Sequence, residues 1–233
     1  MSIKEIQKDL RKLADAEKAK ILQRFFKTGK GEYGEGDIFL GIVVPNQRKV
    51  ANKHKDLSLK DIFVLLNSKI HEHRLTSLFI LVNKYKRADK GTKKEIFDFY
   101  LKNTKNINNW DLVDLSAPNI VGDYLLNKPK DILYKLAKSK NIWERRISIL
   151  ATASFIRNNK FDDILKISEI LLKDEHDLIH KGAGWMLREV GKRNKTVEER
   201  FLKKYCKKMP RTMLKYAIER FPENRRKFYL DKK

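Results

Sequence analysis

One beat runs through most of this chain and limits what it can fold into. The segments EHRLTSLFIL, NNWDLVDLSA, WERRISILAT and LIHKGAGWML align on Arg74, Trp110, Arg146 and Lys181, at steps of 36, 36 and 35 residues. Ile62, Ile96, Ile132, Ile167 and Phe201 keep the same time in a second set of segments, at steps of 34 to 36. Within the segments the apolar residues step by three and four, the spacing of one helix face. Ile3, Ile6, Leu10 and Leu13 do so, as do Ile62, Leu65 and Leu66 after the cap-like Ser58. Ile96, Phe99 and Tyr100 follow the cap-like Thr92, and Ile132, Leu133 and Leu136 follow Pro129. Ile164, Leu165, Ile167, Ile170 and Leu171 form a further stripe. No segment alternates convincingly as a strand does. The run Ile42-Val43-Val44 is stopped by Pro45, which lacks the N–H a ladder needs.

A two-helix unit repeating at about 35 residues describes a helical solenoid of the HEAT or a related kind. Gly and Pro together number only 15, so tight turns are few and an all-β sandwich is disfavoured. The expected fold is therefore all-α: a right-handed superhelical solenoid of HEAT-like antiparallel helix pairs with a concave basic face, one domain over residues 1–233. Equivalent positions line up across such an array. Arg74, Trp110, Arg146 and Lys181 are expected to form one row, with Asp114 and Trp185 one turn away.

The charge points to a partner. Lys and Arg number 53 against 30 Asp and Glu, a net charge of +23. Residues 181–233, from Lys181 to Lys233, hold 18 basic and 6 acidic side chains, about half of the excess. A merely solvated surface would be closer to balance, so a polyanion is implied, and nucleic acid first. A membrane surface fits less well, because the basic segments lack one long apolar face with interfacial aromatics. No apolar run nears the ~18–20 residues of a membrane span, and the opening MSIKEIQKDL has no apolar signal core, so a soluble cytoplasmic protein is expected.

Several suggestive features carry little. The single Cys206 excludes an internal disulfide and a CxxC-type zinc site, and packing is its default role. His176 and His180 share a helical spacing, but neither an HExxH pattern nor a third ligand accompanies them among His54, His71 and His73, so no metal site is expected. GKGEYG, Gly29 to Gly34, fits G-x-G-x-x-G in letters only: it follows a helical stretch, and Glu32, Glu35 and Asp37 would repel phosphate. It is expected to be a flexible loop.

NNWDLVD carries more. Trp110 and Asp114, four apart, meet on one helix face. A Trp is usually core, but this face also bears a carboxylate, and the row Arg, Trp, Arg, Lys is not a core row. GWMLREVGKR adds Trp185, with Arg188 one turn on. Two aromatic faces, a carboxylate and cations suit a cationic or electron-poor ring on a phosphate backbone.

At these residues the chain resembles the bacterial HEAT-like-repeat DNA glycosylases of the AlkD type, which excise alkylated purines. The matching motifs are FLGIVVPNQR at Phe39 to Arg48, NWDLVD at Asn109 to Asp114, NIWERR at Asn141 to Arg146, and HKGAGWMLRE at His180 to Glu189. They stand in family order and cover nearly the whole chain. The resemblance implies that Trp110 and Trp185 flank the deoxyribose of the lesion and that Asp114 is the catalytic carboxylate. It implies that Arg146 and Arg188 hold the nearby phosphodiester, while Lys181 and Arg74 join the DNA-binding row through the repeat. The implied substrate is double-stranded DNA containing alkylated purines, recognised without a base-flipping pocket; no cofactor or metal is expected, and a solenoid that grips DNA along one concave face can work as a monomer. A family member has Gln where this chain has Val43 and Tyr where it has Phe25, so lesion preference is open to change. Two other readings stand beside this one: a non-catalytic DNA-binding solenoid, and a protein-binding scaffold whose basic surface meets an acidic partner.

Overall fold

The computed structural model describes residues 2–231; Lys233, the last of the basic run, lies outside them. Among the described residues the regular elements are all helical, with one isolated bridge between Ile38 and Ile70. No helix among them is long and apolar enough to cross a membrane. The chain divides into two compact units, Met1–Ser116 and Ala117–Lys233.

The first unit is built around the helix His71–Arg87, in which 13 of 17 residues are buried. Its run from Leu75 to Val82 is apolar on nearly every side, and the helices Val44–Lys53 and Leu59–Leu66 both pack on it. Each fully buried side chain of Leu or Phe size contributes about 1.5–3 kcal/mol of transfer free energy. The caps are local. Ser2 closes a capping box with Glu5, and Ser58 accepts from Asp61 N–H at the start of Leu59–Leu66. Thr92 is not a cap: Asp89 is, its carboxylate taking the Thr92 N–H at 2.7 Å, so Lys90–Lys102 starts earlier than expected. Pro45 begins a helix rather than merely ending an extended run. It sits in the first turn of Val44–Lys53, where a missing N–H costs nothing.

In the second unit, helix Ile142–Arg157 packs on the π turn Pro118–Gly122, on Asp131–Ala137 and on Asp177–Arg193. Asp177–Arg193 in turn lies against Arg211–Ala217. That crossing needs Gly184: a Cβ there would stand 2.4 Å from the Met213 carbonyl oxygen. Cys206 is buried, 5% exposed, at the C-terminal end of Lys195–Tyr205.

The repeat is real at the level of hydrogen bonds, but its register differs from that of the aligned motifs. Arg74 Nη1 donates to Ser68 O at 3.0 Å, Arg145 Nη1 to Ser139 O at 2.9 Å, and His180 Nε2 to Asp174 O at 2.5 Å. Each is a return of six residues. In each, the side-chain oxygen at the accepting residue also caps the N–H two residues on, at Ile70, Asn141 and His176. Arg74 is therefore the counterpart of Arg145 and His180, one position ahead of Arg146 and Lys181. The row inferred from steps of 36 and 35 residues is therefore out of register by one between Arg74 and Arg146.

Candidate functional site

The motif FLGIVVPNQR forms a tight turn in the first unit whose parts hold one another. Glu72 is wholly buried, and its carboxylate accepts from the N–H groups of Leu40 at 2.9 Å, Gly41 at 2.9 Å and Ile42 at 3.2 Å. Gly41 has φ +82°, and a Cβ there would fall 2.1 Å from the Asp15 carbonyl oxygen, so only glycine fits. Gln47 donates to Ile42 O at 2.7 Å, and the Arg48 guanidinium lies 4.0 Å over the Phe79 ring. Against this turn Ile21, Phe25 and Val43 line a cleft of about 320 Å³ whose floor includes Phe39, His71 and Asp111. Phe25 is 61% and Val43 46% exposed.

Trp110 and Asp114 are the first and last residues of a five-residue helix, and both are half-buried. Asn109 caps it, taking the Trp110 N–H at 2.8 Å. At its far end Ser116 Oγ bonds to the Leu112 carbonyl and lies 2.8 Å from the Tyr100 hydroxyl. Complete burial, with Asp114 close by, pushes the Tyr100 phenol well above its ordinary value. Trp110 stacks on Phe26, centroids 5.0 Å apart and planes 7° from parallel, and meets Phe25 edge-on at 5.9 Å. One face of the indole is thus covered by protein, so Trp110 belongs partly to the core.

Beneath these rings lies a buried ion cluster. His71 is 1% exposed, its Nδ1 3.2 Å from Asp37 Oδ2 and its Nε2 2.8 Å from Asp111 Oδ2. Its ring stacks on Phe39 at 4.5 Å. Burial alone would push this imidazole down; the facing Asp111, and hydrogen bonds to Asp111 and Asp37, raise it to about 9 against the opposing charge of Arg74. Asp37 Oδ2 also receives Arg74 Nη2 at 2.6 Å and Asn109 Nδ2 at 3.3 Å. Burial favours a protonated Asp37, but His71 and Arg74 hold its carboxyl below the usual carboxylate value. The next histidine behaves oppositely: burial and Arg11 push His73 down to about 4.

The second unit carries the remaining expected residues. Trp185 is half-buried and its Nε1 donates to Glu189 Oε1 at 3.1 Å, an oxygen shared with Lys192 at 2.6 Å. Arg188 pairs with Glu219 and keeps 17% of its side chain exposed. Lys181 pairs with Asp177 at 2.7 Å and keeps 40% exposed. Arg146 is 4% exposed and donates to the Leu178 carbonyl. Nearby, Glu198 is 2% exposed against Gly191, and its Oε1 has no hydrogen-bond partner among the described residues. Burial and then Glu199 push its carboxyl up to about 8.

The expected DNA contacts divide accordingly. Arg74, 4% exposed, is committed to Asp37 and Ser68 and presents no cation to solvent. It is thus taken up by a buried ion pair rather than standing exposed on the row inferred from the repeat, since a buried guanidinium needs a carboxylate partner. Lys181 and Arg188 retain exposed charge, whereas Arg146 offers only an edge.

A family model described as DNA alkylation repair enzyme matches residues 6–221. The chain belongs to that family. No curated protein matches it. Among solved structures, one described as a predicted DNA alkylation repair enzyme from Enterococcus faecalis shares the fold. Its TM-score is 0.72 at 16% identity, covering 90% of this chain and 97% of that one. The motifs that placed this chain beside the DNA alkylation repair enzymes included Asp111 but gave it no role, and gave Asn109 none in holding the site together. The signal was available: His71, Glu72 and Arg74 run directly into the mainly apolar stretch Leu75 to Val82, so burial of the helix start would require a partner for each.

Proposed function

We propose that the chain is a DNA glycosylase that hydrolyses the N-glycosidic bond of cationic N3- or N7-alkylated purines in duplex DNA. The observation that carries this is the pairing of a half-buried Trp110 with Asp114 on one short helix. That helix lies in a chain matched to the DNA alkylation repair enzymes over residues 6–221.

The chemistry follows from charge. An alkylated purine of this kind is already a cation and leaves as a neutral base, so its departure needs no general acid. Water supplies the oxygen that bonds to C1′ and loses a proton, leaving an abasic sugar and the free base. Positive charge grows on the sugar as the bond breaks, and a carboxylate at Asp114 with indole faces beside it stabilises that charge. One such interaction at ~4 Å and an effective dielectric of ~20 is worth about 4 kcal/mol, roughly a thousandfold in rate. That suffices for a labile lesion and not for a normal nucleoside, so selectivity rests on the lesion's own chemistry rather than on a flipping pocket. Trp185 offers an indole face suited to a deoxyribose, and Arg188, Lys181 and the edge of Arg146 offer positive charge suited to phosphates. The chain works on duplex DNA as one functional domain, in a monomer.

The test is release of 7-methylguanine and 3-methyladenine from methylated duplex DNA by wild type and Asp114→Asn. The wild type should release both bases, and the variant should be slower by roughly two to four powers of ten at a DNA affinity changed by only a few fold. Equal rates would remove Asp114 from the reaction. Binding without release would leave a non-catalytic DNA-binding protein, and failure to bind DNA at moderate salt would favour an acidic protein partner.

A further inference from the structure

We infer that His71 is a positioning residue: as an imidazolium gripped between Asp37 and Asp111, it fixes the turn Asn109–Asp111 and so aims Trp110 and Asp114. The inference rests on the glycosylase reading for what is aimed, and on geometry alone for how.

The protonation state follows from the contacts. Both ring nitrogens face carboxylate oxygens, at 3.2 and 2.8 Å. An ionised carboxylate only accepts, so each contact requires an N–H, and an imidazole with two N–H groups is a cation. The cluster then balances: Asp37 and Asp111 against His71 and Arg74. A fifth charged group at this end of the helix, Glu72, is turned to the amides of Leu40, Gly41 and Ile42. A neutral His71 would set one lone pair against a carboxylate and leave a buried negative charge unbalanced.

The cluster grips both chain neighbours of Trp110. Asn109 donates to Asp37 Oδ2 while capping the helix, and Asp111 binds His71 through Oδ2 while its Oδ1 takes the Leu112 N–H at 2.8 Å. The indole is held on its covered side by Phe26, which itself lies 5.1 Å from the imidazole. A helix of five residues has no stability of its own. Its orientation must come from such ties, and a shift of about 1 Å in a reacting group can cost roughly a hundredfold in rate.

The experiment combines two readouts on the full chain. In the first, single-turnover release of 7-methylguanine from methylated duplex is followed between pH 6.5 and 9.5. The wild-type rate should decline along an alkaline limb that binding to undamaged duplex does not follow. Asp111→Asn should be roughly 10- to 100-fold slower at pH 7 with Kd within about threefold, and its limb should lie at lower pH. His71→Asn should be slow and should lose the limb, which separates enzyme titration from alkaline decay of the substrate. Excision by His71→Asn within about threefold of wild type, or a limb that persists in it, would overturn the inference.

The second readout needs neither turnover nor a variant that folds normally. Wild-type protein labelled with ¹⁵N-histidine and 5-fluorotryptophan is titrated, with the fluorine signal of Trp110 assigned through Trp110→Phe. His71 should be doubly protonated at pH 7.5, and the Trp110 signal should move with the His71 midpoint. A neutral His71 at that pH, or a Trp110 signal indifferent to its titration, would refute the positioning role. If the wild type released no methylated base, the glycosylase reading would fail, while this second arm would still decide whether His71 holds Trp110.

Discussion

Glu198→Gln should stabilise this protein, and only where the pH is high enough. The wild-type carboxyl lies 2% exposed against Gly191 with one oxygen unpartnered, and its pKa is pushed from 4.5 to about 8. An acid whose pKa rises on folding binds a proton in the native state that the unfolded chain has released. Its contribution is neutral below pH 4.5, turns unfavourable as pH rises from 4.5 to about 8, and is constant above. At pH 7 the gap from 4.5 corresponds to a penalty on the order of 3 kcal/mol. Glutamine matches the shape of the protonated acid, has the same unpartnered oxygen and never ionises, so it removes that penalty and little else. At about 2–4 °C per kcal/mol for a chain of this size, Tm should rise by about 6–12 °C at pH 7. At pH 4, where the acid is neutral in both states, the two proteins should unfold within about 2 °C of each other. Circular dichroism melts at pH 4, 7 and 8.5, with urea titrations at the same values, measure this. A Tm difference independent of pH, or a variant less stable at pH 7, would refute the assignment of a strained carboxyl to Glu198.

Arg74→Ala should destabilise the protein by about 3–5 kcal/mol in urea unfolding, because it leaves the buried cluster with two carboxylates against His71 alone; a change under about 1 kcal/mol would return Arg74 to the surface. Lys181→Ala should leave stability within about 0.5 kcal/mol, while the log–log salt slope of DNA binding becomes shallower by about one unit; an unchanged slope would remove Lys181 from the DNA contact. Gly184→Ala should cost about 1–3 kcal/mol, since its new methyl meets the Met213 carbonyl at 2.4 Å; a neutral result in thermal melts would mean that the crossing of Asp177–Arg193 and Arg211–Ala217 has room to spare.

Much of the helical skeleton was legible in the residues, because spacing of three and four is written directly by the geometry of an apolar face. Ile62, Leu65 and Leu66 fall on one buried helix, and Ile164 and Ile167 on another, as read. The register of the repeat was harder. One extra residue in a loop moves every later position by about 100° around its helix, and aligning Arg74 with Arg146 rather than Arg145 hides that. The row therefore promised exposed cations, whereas Arg74 and Arg146 are each 4% exposed. The ion cluster was illegible for a different reason. Asp37 lies 34 residues from His71 and Asp111 lies 40, so no local pattern joins them. The acidity of the glycine loop was good grounds for rejecting a phosphate site, yet the same acidity hid its use: Asp37 is the anchor for Arg74, His71 and Asn109 at once.

Cys206 is the only thiol of the chain, shut in at the end of Lys195–Tyr205 with 5% of its surface exposed. A thiol reagent reaches it only when that helix end opens. With closing fast, the labelling rate is the intrinsic thiol rate multiplied by the opening constant, so a simple colour reaction reports the free energy of one local event. The native protein thus carries its own clock for the stretch richest in Lys and Arg. Adding duplex and watching whether that clock slows would tell, without any engineered label, whether these helices tighten when DNA is bound.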